Sequence, residues 1–137
     1  MREHMGLFRG KRIDNGEWVE GFFKNEKLGV YLTAAFIVEL LTSGVWEVHR
    51  VDPSTAGQYT GLTDKNGKMI FEGDIVHAVD ALSRPQDTAY TFVGVVDYKD
   101  CSFAVVSDSF TYYRWMDYVV EVIGNIHDNK ELLEEIK

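Results

Sequence analysis

The chain has 137 residues, enough for one domain or two small lobes. Hydrophobic residues make up 45% and charged residues 26%, a globular balance that excludes a disordered tail. Fourteen basic against 22 acidic residues leave a formal net charge of -8, which excludes a protein held to duplex nucleic acid by a broad basic footprint.

Cys101 is the only cysteine, so neither a disulfide framework nor a cysteine-rich zinc site is available, and a buried thiol in a reducing cytoplasm is expected. Charges flank the few apolar residues of the first 12 positions, so no secretory leader is expected there. No uncharged run is longer than residues 28–38, which is too short to cross a bilayer, and no membrane association is expected.

In chain order, β signals dominate. Residues 7–13 and 17–24 flank Asp14-Asn15-Gly16, whose Asn-Gly pair favours a tight hairpin. The second arm sets Trp18, Glu20, Phe22 and Lys24 on one face and Val19, Gly21 and Phe23 on the other, so a second layer covering the sheet is expected. Residues 29–33 suit a strand, while 34–41 fit a strand or a short helix stopped by Gly44. Residues 45–51 alternate again, with Val45, Glu47, His49 and Val51 opposite Trp46, Val48 and Arg50. Asp52-Pro53-Ser54-Thr55 reads as a capped turn, and any internal boundary is expected at 51–56.

Beyond it, 57–62 and 69–71 are strands around the Asn66-Gly67 turn, and Glu72-Gly73-Asp74 is a turn leading into Ile75-Val76. Residues 82–88, with Pro85, suit an exposed loop. Strands are expected at 90–98 and 103–106, then an aromatic strand at 110–115, a helical turn at 116–118 and a last strand at 119–126. Asp128 and Glu131 stand in capping-box spacing before a two-turn terminal helix at 131–136. Short strands with turns every few residues describe a mainly β molecule of barrel or sandwich type.

The stretch from Val51 through Gly57-Gln58-Tyr59-Thr60-Gly61-Leu62 to Gly73-Asp74-Ile75-Val76 closely resembles the signature of the YopX family of bacteriophage and prophage proteins. Phe8-Arg9-Gly10-Lys11 with Asn15-Gly16-Glu17-Trp18-Val19, and Glu121-Val122-Ile123-Gly124-Asn125-Ile126 with the following helix, resemble the family's opening hairpin and closing elements. The resemblance spans nearly the whole chain, although 28–46 and 81–118 match only in character. It implies a small SH3-like β-barrel with an N-terminal β-hairpin or meander lobe and a short C-terminal α-helix. The chain would be one domain over 1–137, with sub-lobes at 1–50 and 51–137. It also implies a phage or prophage gene expressed in the bacterial cytoplasm, and supplies no reaction and no catalytic residues.

The signature residues read as architecture. Gly57, Gly61, Gly67 and Gly73 fall at turns or strand ends, Tyr59 feeds a strand, and Asn66 completes a turn. Asp64 and Asp74 stand where a carboxylate caps backbone N–H groups. A metal or acid–base cluster of Asp64, Glu72 and Asp74 is the weaker reading. His4, His49, His77 and His127 show no metal-pair spacing, no serine sits in a nucleophile-elbow pattern, and no glycine-rich loop precedes a helix. Neither an enzyme nor a cofactor or metal is expected.

Two features point to binding. Arg9, Lys11 and Arg12 form the one dense basic cluster, and residues 1–27 carry six basic and five acidic side chains, a net of +1. Tyr112, Tyr113, Arg114 and Trp115, next to Phe110, set aromatic rings on both faces of the expected strand. The leading expectation is a non-enzymatic accessory protein that binds an unidentified phage or host protein, with homo-oligomers allowed. The alternative is a barrel that grips single-stranded nucleic acid between the basic hairpin and the aromatic strand. The acidic remainder, which repels phosphate, disfavours it.

Overall fold

The computed structural model describes residues 6–80, 91–108 and 110–136, so the loop expected at 82–88 lies outside the described residues. The regular structure is almost entirely antiparallel strand, in two sheets with one short helix. The chain divides into two compact units, 1–61 and 62–137. The division falls within a strand rather than at 51–56, because the first half of that strand hydrogen-bonds back onto the opening hairpin.

In the first unit, β1 (Leu7–Lys11), β2 (Trp18–Leu28), β3 (Leu32–Leu40), β4 (Trp46–Val51) and the start of β5 (Gly57–Thr63) lie in the order β4-β3-β2-β1-β5. The first hairpin turns through the four residues 13–16 rather than a tight Asn-Gly pair alone, with Gly16 at φ 72° and its N–H donating to the Arg12 carbonyl at 2.9 Å. Residues 29–31, expected as strand, are instead the β2–β3 turn, because Gly29 takes a φ of 83° that ends the strand. The helical option for 34–41 gives way to β3, which pairs with β2 on one side and β4 on the other.

The far end of β4 then returns to the chain just after β1. Arg12 bridges Val51, the Asp52 N–H donates to the Lys11 carbonyl at 2.9 Å, and the Ile13 N–H donates to the Arg50 carbonyl at 3.1 Å. The sheet is therefore curled, and its inner face packs Val19, Ala35, Ile37 and Val51 with Phe8 and Phe23 against them. Gly21 lies close against the neighbouring strand: a Cβ there would stand 2.2 Å from the Val38 carbonyl oxygen. The Pro53–Thr55 turn follows as expected, with the Asp52 carboxylate accepting from the Ser54 N–H at 3.0 Å.

In the second unit, β6 (Met69–Phe71) follows the 64–68 turn. A five-stranded sheet then runs in the order β10-β9-β8-β7-β11. It is built from β7 (Asp74–Asp80), β8 (Thr91–Lys99), β9 (Ser102–Val106), β10 (Thr111–Tyr112) and β11 (Tyr118–Asn125). Its core gathers Ile70, Val76, Ala78, Phe92, Val96, Val105, Trp115 and Val120. This sheet is open rather than a closed SH3-like barrel, because β10 is only two residues long and stands at one edge while β11 stands at the other. Gly73, at φ 93°, makes the turn into β7 with its N–H donating to Val96 and its carbonyl accepting from Ile126.

Three local features differ from what the sequence predicts. Cys101 is exposed rather than buried, because the β8–β9 turn places Asp100 and Cys101 at φ 52° and 65° with their side chains outward. The helix α1 (Lys130–Ile136) begins one residue early, so Asp128 is not its cap and its carboxylate accepts from the Asn125 side chain instead. The aromatic strand at 110–115 is cut to Thr111–Tyr112, followed by a turn and a 3-10 segment at Trp115–Asp117.

Candidate functional site

The three cations of the first hairpin are held by neighbours within their own unit. Arg9 and Lys11 alternate onto one face of β1, opposite Glu20 and Trp18 of β2. The Arg9 guanidinium lies 4.7 Å and the Lys11 ammonium 5.5 Å from the centre of the Trp18 ring, both within cation–π range. Arg9 is only 8% exposed. Arg12 is held in a fork by Asp14, with Nη2 at 2.6 Å from Oδ2 and Nε at 3.0 Å from Oδ1. Hydrogen bonding to Asp14 raises the Arg12 pKa above its usual value and lowers that of Asp14. A buried cation and a neutralised one make a poor phosphate grip.

The aromatic residues belong to the second unit, and they split between core and surface. Trp115 is 1% exposed, and its indole N–H donates to the Phe103 carbonyl at 2.9 Å, so it is a core residue rather than a stacking platform. Tyr112 lies flat on Phe92 with ring centroids 3.6 Å apart. Tyr113 is exposed and its hydroxyl donates to Asp100, the cause of its raised pKa. Arg114 pairs with Asp117 at 3.1 Å on the surface.

The signature residues hold backbone. The Asp64 carboxylate accepts from the Asn66 and Lys68 N–H groups, each at 2.9 Å, and from Val122 of β11 at 3.0 Å. Asp74, buried, accepts from the Phe71 N–H at 2.8 Å and shapes the turn before β7. Gly61 and Gly67 adopt positive φ, Gly57 pairs with Arg9 of β1, and Tyr59 is buried. Each of these residues thus sits at a turn, in a strand or against backbone.

The outer face of the first sheet, which strand alternation predicts to be covered, is instead exposed. Register aligns Phe22 with Val38 and Val38 with Val48, and next to them Leu40 with Trp46. These side chains share the outer face of the curled sheet, where Phe22 is 50%, Leu40 56%, Trp46 52% and Val48 61% exposed. The Phe22 and Trp46 ring centroids lie 6.0 Å apart, so the patch is continuous across three strands. The four exposed side chains present on the order of 400 Å² of apolar surface, as large as the main patch of a typical monomer.

On the inner face of the same two strands, Glu39 of β3 stands directly opposite Glu47 of β4. His49 Nε2 lies 3.1 Å from Glu39 Oε1 and 3.9 Å from Glu47 Oε1. Among the described residues this is the one group of three or more His, Cys, Asp and Glu side chains close enough to share a metal ion. The spacing Glu47-Val48-His49 carried half of that signal, since residues two apart on a strand share a face. The other half needed the β3–β4 register.

Comparison with known proteins adds three findings. No curated protein matches the chain. Among solved structures, the crystal structure of protein EF1440 from Enterococcus faecalis is similar, with 28% identity and a TM-score of 0.51 over 92% of this chain and 96% of that one. The likeness therefore covers both units and carries no activity with it. The pattern of the YopX protein family matches residues 7–134, both units and the signature turn included, and the chain belongs to that family.

Proposed function

We propose that this is a phage- or prophage-encoded, non-enzymatic binding protein whose first unit docks a partner protein on the outer face formed by Phe22, Leu40, Trp46 and Val48. The observation that carries the reading is the exposure of two aromatic and two aliphatic side chains in one continuous cross-strand patch. A standard interface buries about 800 Å² per partner, a little over half of it apolar. The patch supplies that apolar share, and Glu20, Lys24 and Arg50 beside it on the same face supply a polar rim. Trp is also the side chain most enriched among the residues that dominate interface energy.

The occupant we assign is a basic protein. A net charge of -8 opposes the approach of a second copy and favours a partner of opposite sign. The test is affinity capture from phage-infected or lysogenic bacteria with the wild-type chain and with Trp46→Ser combined with Val48→Ser. One stoichiometric basic protein, retained by the wild type and lost at least about ten-fold from the variant, is expected. Equal recovery by both forms contradicts the proposal. So does a purified wild type that dimerises through this face, as read by light scattering.

A further inference from the structure

We infer that Glu39, Glu47 and His49 form a binding site for one divalent transition-metal ion, independent of the docking face on the other side of the same strands. The three donor atoms lie within 4.8 Å of one another. Ligands about 2.1 Å from a zinc ion stand roughly 3 to 3.5 Å apart at tetrahedral or right angles, so the His49–Glu39 pair is already at the required separation. Closing the site takes only rotation of the Glu47 side chain, which is half exposed.

The second observation is His49 itself. It is 6% exposed, and among the described residues its ring meets no polar group other than these two carboxylates. Its Nε2 is already held by the Glu39 carboxylate and faces Glu47, so the ring is turned toward both anionic oxygens, and an ion bound there takes the place of the Nε2–Glu39 hydrogen bond. The carboxylates are themselves unfavourably placed. Glu39 and Glu47 are direct cross-strand partners, a position in which like charges repel.

The remaining charge nearby does not resolve that repulsion. Arg12 reaches Glu47 electrostatically, but its guanidinium is engaged in the fork with Asp14. A dication placed among Glu39, Glu47 and His49 cancels the two carboxylate charges and uses the imidazole nitrogen at once. One nitrogen and two carboxylate oxygens suit zinc and its first-row neighbours better than calcium, which prefers six to eight oxygens. Partial exposure of both glutamates leaves the remaining coordination positions to water.

The experiment uses the full chain, stripped with EDTA and titrated with zinc chloride by calorimetry. Cobalt chloride titrated in parallel reads geometry from visible absorption. One zinc per chain is expected, together with cobalt d–d bands. Glu39→Gln and Glu47→Gln are each expected to weaken zinc by at least about ten-fold, as even supporting residues of metal sites do when lost. Both variants are expected to fold with an apo melting point equal to or above the wild type, because each relieves the carboxylate repulsion. His49→Gln is expected to abolish binding, and if it fails to fold the two glutamate variants carry the test. No stoichiometric binding, or glutamate variants within about two-fold of the wild type, overturns the assignment. The latter result places the ion on other donors such as His77 or His127.

Discussion

The Asp64 carboxylate accepts three backbone N–H groups, two within its own turn and one from Val122, 58 positions along the chain. Burial pushes its pKa up, but the donors from Val122, Lys68 and Asn66 and the Lys68 charge outweigh that and leave it below the ordinary value. A depressed folded pKa means stabilisation that is fully present above the unfolded value, about 3.9, and lost as pH falls through the folded one. Asp64→Asn is therefore expected to cost about 1–3 kcal/mol in urea unfolding at pH 7, with the gap to the wild type narrowing below about pH 4. Cys101 gives the opposite sign. A side chain held at φ 65° carries strain of about 1 kcal/mol, so Cys101→Gly is expected to raise stability by about 0.5 kcal/mol after the entropy cost of glycine. Equilibrium unfolding of the reduced protein measures it.

At the level of elements, β4 decides which face of the first sheet is core. Alternation in residues 45–51 separates Trp46 and Val48 from Glu47, His49 and Val51, and composition alone favours burying the face that carries tryptophan. The structure does the reverse, because the end of β4 closes onto Arg12 and turns Val51 inward. Val51→Ala is accordingly expected to cost about 2 kcal/mol, and Val48→Ala no more than about 0.5 kcal/mol, by thermal or urea unfolding. Equal costs would reassign the faces. The hairpins at Asn15-Gly16 and Asn66-Gly67, the Asp52 cap and the β7–β9 strands were legible, because each rests on neighbours in sequence. The docking patch and the Glu39–Glu47–His49 group were not, because each depends on register between strands. The short β10 has the same origin: the Trp115 indole reaches the Phe103 carbonyl only if the chain leaves the strand after Tyr112.

For the whole molecule, charge is divided unevenly between the units. Residues 1–61 carry seven basic and eight acidic side chains, a net of -1, whereas 62–137 carry seven and 14, a net of -7. The apolar patch thus lies on the nearly neutral unit, and the acidic unit provides long-range attraction for a basic partner. Raising salt from about 0.05 to 0.5 M is expected to slow association several-fold while changing dissociation little, as read by surface plasmon resonance. The same charge, with Arg9 and Trp115 buried, predicts no anisotropy change for single- or double-stranded oligonucleotides even at low salt.

Site-specific photocrosslinking tests the docking claim most directly. A benzoylphenylalanine placed at Trp46 is compared in infected or lysogenic cells with one placed at Tyr113, an exposed aromatic of the second unit. One discrete adduct to a basic protein is expected from position 46 and none from position 113. Adducts of equal yield at both positions, or none at 46, would contradict the docking claim.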